Sequence, residues 1–185
     1  MKHIVTTIVI LFAVSCKAQS PIISTVDFKN DDDNNIDLVD GCYLKDVENK
    51  FNPFIGTWVW EEGNARLEIV FEKIEMVFDG DYYSDMLVGK YRFVNSSSEE
   101  KHNSLNLDVT NENFWGYGYY LIRGSGYYTD TLFIFSISDL HKNAHCDLYF
   151  ELTSPTEAAW RIQREDGRDH PGGLTFPEEL TLTKQ

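Results

Sequence analysis

The chain has 185 residues, 25% of them charged and 14% aromatic, which suits one domain with a real core and is too apolar for a disordered protein. Its formal charge is −14, with 30 acidic against 16 basic side chains. Such a field repels nucleic-acid phosphates and anionic headgroups, and leaves cations, basic proteins or neutral sugars as compatible partners.

The chain opens with "MKHIVTTIVILFAVSC". A cationic start at Lys2 precedes an apolar run from Ile4 to Val14, too short for the roughly 20 residues of a membrane span. Its length and flanks are those of an export signal over residues 1–15. Ser15-Cys16 resembles the cleavage box of bacterial lipoproteins, in which the Cys becomes the acylated N-terminus. Ala13 stands where that box usually has Leu, and Ala13-Val14-Ser15 also suits an ordinary signal peptidase. The resemblance implies lipid attachment at Cys16 and residence in the cell envelope, on its periplasmic or its surface side. Several acyl chains would anchor such a protein durably, each buried methylene contributing ~0.8 kcal/mol.

Residues 16–40 read as an acidic tether. The stretch from Lys17 to Asp40 holds six Asp against one Lys beyond its first residue and has no sustained period. A segment around Ile22 to Phe28 is apolar enough to dock on the domain. The domain itself spans 41–185. In "YLKDVENKFNPF", Leu44, Val47 and Phe51 fall on one face of a short helix that Pro53 ends.

From Gly56 the period changes to two. "ARLEIVFEK" alternates Ala65, Leu67, Ile69 and Phe71 against polar neighbours, after turn residues at Glu61 to Asn64. "KIEMVF" continues to a break at Asp79-Gly80-Asp81. "MLVGKYRFV" sets Leu87, Tyr91 and Phe93 on one face, and "SLNLDVT" sets Leu105, Leu107 and Val109 inward. "FWGYGYY" follows, then "DTLFIFSIS", "HCDLYFELT", "AAWRIQRE" and "ELTLTK", each strand-like. The pattern predicts an all-β antiparallel barrel or half-barrel of eight to ten strands with one short N-terminal helix; a sandwich also satisfies it.

Gly56-Thr57-Trp58, entered from that helical turn, resembles the first strand of lipocalin-like (calycin) barrels. There the Gly permits a tight turn, the Trp closes one end, and a late-strand Arg stacks across it. The resemblance implies that role for Trp58, with Arg161 or Arg164 as the stacking cation. "YLKDVENKFNPFIGTWVW", "DYYSDMLVGKYRFV" and "PEELTLTKQ", with "SCKAQ" behind the signal, resemble an uncharacterised family of Bacteroidota-type lipoproteins, a domain of unknown function. That likeness adds no activity.

With Cys16 acylated, Cys42 and Cys146 remain; outside the cytoplasm they could pair, or stay as separate thiols. The stretch from Asp31 to Asp37 lacks the Gly and the final acid of an EF-hand. His141 and His145 have a helical metal spacing but lead into a strand, which separates them, and His170 sits in a loop. No nucleophile-elbow or zinc-protease motif occurs. No catalytic, metal or cofactor residues are therefore assigned. In strand register Trp115, Tyr117, Tyr119 and Leu121 would share one face and Phe114, Gly116, Gly118 and Tyr120 the other. Trp58, Trp115, Tyr117 and Tyr119 then either line a ligand cavity or fill the core. The leading expectation is a non-enzymatic envelope lipoprotein that binds a small ligand. An interaction or scaffold module for an envelope protein, and an enzyme acting on glycans or peptides, are the alternatives.

Overall fold

The structure, a computed structural model, describes residues 21–31, 36–124, 126, 129–164 and 172–185. They form eleven strands in one sheet: β1 (Ile22–Ser24), β2 (Tyr43–Lys45), β3 (Gly56–Glu62), β4 (Ala65–Phe78), β5 (Tyr83–Val94), β6 (Glu100–Asn103), β7 (Ile122–Gly124), β8 (Leu132–Asp139), β9 (Ala144–Ser154), β10 (Glu157–Arg164) and β11 (Glu179–Lys184). A five-residue helix, α1 (Thr25–Lys29), and a 3₁₀ helix (Phe114–Tyr120) complete them.

Eight strands close an antiparallel barrel. Around its wall they run β3, β4, β5, β7, β8, β9, β10, β11, in chain order. Pairing of Leu87 with Gly124 joins β5 to β7, and pairing of Val59 with Thr183 joins β3 to β11. The closed ring excludes the half-barrel and the sandwich. Period-two sequences build it directly. Ala65, Leu67, Ile69 and Phe71 of β4 point inward with Phe133, Phe135 and Ile137 of β8 and Cys146, Leu148 and Phe150 of β9.

The lower end of the barrel is plugged. Phe51 and Phe54, from the loop before β3, are fully buried there against Phe133, with ring centroids 5.3 and 5.4 Å away. Trp58 meets Phe150 edge-on at 5.1 Å, and Phe71 stacks on Phe135 at 4.9 Å. Gly56 has φ 125°, a backbone that favours glycine, and turns the chain from the plug into β3.

β5 carries three partners along its second edge. β2 pairs in parallel at Tyr83 and Ser84, β7 at Leu87 to Gly89, and β6 at Arg92 to Val94. β1 adds to β2 in parallel, so the segment around Ile22 to Phe28 does dock on the barrel wall. The chain between β6 and β7 covers the outside of β4 and β5. It buries Ile74, Val77, Met86, Val88, Phe114 and Leu121 in a second cluster.

Three expectations are corrected. Residues 44–51 are not helical: Leu44 lies in β2, Val47 is 52% exposed, and the Asp46 carboxylate accepts from the backbone of Lys50 and Phe51 to make a turn. Leu105, Leu107 and Val109 form no strand. Ser104 ends β6 by accepting from Tyr91 N and donating back to Tyr91 O, and the Asn113 side chain folds the chain back on Asp108 and Thr110. The aromatic run from Phe114 is a 3₁₀ helix outside the barrel.

Gly89 faces the interior, where an added Cβ would sit 2.7 Å from Phe71 Cε1 and 3.0 Å from Ile122 Cβ. Gly89→Ala should destabilise the protein by about 1–3 kcal/mol in denaturant unfolding.

Candidate functional site

Opposite the plug, the barrel opens on a cavity of about 360 Å³. Tyr91 and Phe93 at the top of β5 form its floor and wall with Phe176 from the loop before β11. Its rim carries His102 of β6, Asp139 at the end of β8, and His141 from the β8–β9 turn.

Asp139 is buried and saturated. Its carboxylate accepts from Thr175 N at 2.6 Å, Thr175 Oγ1 at 2.9 Å, His141 N at 3.1 Å and Lys142 N at 3.2 Å. It therefore ties the loop before β11 to the β8–β9 turn and sets the shape of the rim. Burial, and after it the Asp139 charge, pushes the Tyr91 phenol well above its usual range, so Tyr91 stays neutral. The His102 ring stacks on Tyr91, with centroids 4.0 Å apart and planes 11° apart.

His102 Nε2 lies 3.1 Å from Tyr120 O, and His141 Nε2 lies 2.8 Å from Lys101 O. A carbonyl only accepts, so each Nε2 carries a proton, and the neutral form of His102 keeps Nδ1 as an acceptor. Desolvation lowers the His102 pKa and the neighbouring His141 charge adds to that, against the opposing bond to Tyr120. The rim thus joins aromatic faces to a few fixed polar groups, the Asp139 carboxylate among them.

The residues singled out from sequence lie elsewhere. Trp58 is buried in the plug and donates to Phe54 O at 2.8 Å. Among the described side chains the cation over it is Lys184, not Arg161. Lys184 Nζ lies 5.1 Å from the Trp58 ring and donates to Pro53 O at 2.8 Å. Ala158, Trp160 and Ile162 take the inward positions of β10, so Arg161 points outward and rests over Tyr149 at 4.9 Å. The Arg164 side chain, Cys16 and His170 lie outside the described residues. Tyr117 packs against the outer cluster, while Trp115 and Tyr119 are exposed outside the wall.

Cys42 is a buried free thiol, so it is not bridged to Cys146, which faces the barrel interior from β9. Burial pushes the Cys42 thiol up and leaves it little thiolate. His145 bonds Ser138 Oγ through Nδ1 at 3.1 Å and does not converge with His141.

Fold and site together define an eight-stranded antiparallel β-barrel, plugged at one end and open at the other, an architecture compatible with ligand binding. The chain belongs to the family of unknown function DUF6705, whose model matches residues 1–185. No curated protein and no solved structure matches it.

A histidine whose folded pKa lies below its unfolded value favours folding fully above the ordinary 6.5, and that contribution is lost as pH falls through the folded value. His102→Phe, which keeps a ring on Tyr91, should reduce the loss of thermal stability below pH 6.5 relative to wild type.

Proposed function

We propose that this protein is an exported, lipid-anchored component of a bacterial cell envelope whose barrel binds a small ligand at its open end. The observation that carries the binding reading is the cavity between Tyr91, His102 and Phe176. Its volume falls within the ~300–1,000 Å³ of small-molecule sites, and its apolar walls carry a few oriented polar groups. The ligand is largely apolar and neutral, with a donor to meet Nδ1 of His102. The plugged Gly56-Thr57-Trp58 end opposite an open one follows the lipocalin-like plan.

Binding is favoured over catalysis because every oxygen of Asp139 is committed to the rim. Tyr91, held neutral, is poised to donate rather than to act as a base. Export and anchoring rest on Lys2, the apolar run to Val14 and Ser15-Cys16.

A neutral solvatochromic dye such as prodan should bind at one saturable site with a blue-shifted emission. His102→Trp puts a larger ring in the same stack and should weaken that binding about tenfold, the loss of roughly 1.4 kcal/mol. Unchanged dye affinity in this variant, or no dye binding at all, would overturn the cavity as the site. Cys16→Ser should move the exported protein from the detergent phase to the aqueous phase of a cloud-point partition. An aqueous wild type would overturn the anchor.

A further inference from the structure

Arg123 stands in the middle of β7 and points out of the barrel, between Val88 of β5 and Ser136 of β8. It is half-buried, and its Nε is fully enclosed without a hydrogen-bond partner. None of the ion pairs among the described residues includes it. Acids are plentiful in this chain, so the isolation is not for want of carboxylates. Arg66 pairs with Glu61 and Glu68, Arg92 pairs with Glu100, and Arg161 is exposed over Tyr149. Among the described residues Arg123 has the Trp115 ring, 5.8 Å from its Cζ, and the nearby Tyr119.

The fold makes room for this isolated cation. The 3₁₀ helix lies on the outer wall, packed at Phe114 with Val88 of β5 and reaching β8, and passes Gly118 over Arg123. A Cβ on Gly118 would lie 3.2 Å from Nη1, so the bare backbone leaves room for the guanidinium head. The same helix carries Trp115 and Tyr119, 51% and 58% exposed, with the Trp115 indole donating to Phe78 O and the Tyr119 ring 5.4 Å from His145. Desolvation lowers the pKa of Arg123, the mark of a cation held partly out of water without a counter-charge.

We propose that Arg123 anchors a second ligand site on the outer wall, which takes the carboxylate of a small organic acid whose planar or apolar body rests on Trp115 and Tyr119. A guanidinium offers a planar fork that matches a carboxylate with two parallel hydrogen bonds. The ligand would supply the partner that the protein withholds. A monoanion suits the site better than a phosphate dianion, because the chain's own negative field opposes each added charge. The two exposed rings favour a flat body beside the acid group. This site is separate from the mouth of the barrel and stands without it.

The test uses the intact protein in neutral detergent micelles, titrated calorimetrically with phenylacetate, phenylacetamide and inorganic phosphate. Phenylacetate should bind saturably, and the neutral amide and phosphate at least about tenfold more weakly. Arg123→Gln should lose about tenfold or more in phenylacetate affinity, and Arg123→Lys, which keeps the charge without the fork, should also weaken it. Both variants should unfold at or above the wild-type midpoint and keep prodan binding at the mouth, because an unpaired cation is removed or made more flexible. Equal binding of the amide, tighter binding of phosphate, or an Arg123→Gln variant that binds phenylacetate as wild type does would each overturn the proposal.

Discussion

The packing of Phe51 and Phe54 into the lower mouth of the barrel decides the character of the whole molecule. An eight-stranded barrel has a bore that side chains can fill or leave open. Here the filling is asymmetric, because two rings are supplied from outside the wall by the loop that precedes β3. They meet Phe133 and Phe150 edge-to-face, and Phe150 in turn meets Trp58 and Phe71 the same way, each such pair adding about 0.5–1.5 kcal/mol beyond its burial. The loop is held by buried polar contacts. The Tyr43 hydroxyl donates to Asp85, Asp46 N donates to Asp85 at 3.0 Å, and Lys73 Nζ stands 3.7 Å from the Asp46 carboxylate. With one end sealed this way, the interior space among the described residues lies where the strands rise past the rings.

β5 connects the two candidate sites. Its inward residues reach from Leu87 among the core rings to Tyr91 and Phe93 in the upper cavity. Its outward residue Val88 lies under the cover that bears Trp115 and Tyr119, beside Arg123. A strand buried on both faces reads as a continuous apolar run, and Met86-Leu87-Val88 is that run. The cover needs no regular strand of its own, because Phe114 and Leu121 supply its apolar contacts and Asn113 supplies the hydrogen bonds of its turn.

The barrel strands were legible because alternation of apolar and polar residues is a local property. "ARLEIVFEK" and "LFIFSISD" state their inner faces without help from the rest of the chain. The run from Phe114 to Tyr120 misled because aromatics and glycines suit a strand, whereas a turn at Asn113 and an i to i+3 bond into Gly116 set it as a 3₁₀ helix. The cation over Trp58 was legible in principle. Leu180, Leu182 and Lys184 alternate, which places Lys184 on the inner face of the last strand beside the first. Arg161 falls out of phase with Trp160 and Ile162. The cavity itself was not legible, since it joins Tyr91, His102, Asp139 and Phe176 from four separate segments.

The docking of β1 has a geometrical consequence for an acylated protein. β1 begins six residues after Cys16, so an extended leash between lipid and wall is at most about 20 Å. β1 and β2 lie against the start of β5, at the level of the aromatic seal. A bilayer gripping position 16 would therefore hold the sealed end close to its headgroups and turn the hollow end away, toward whatever diffuses past.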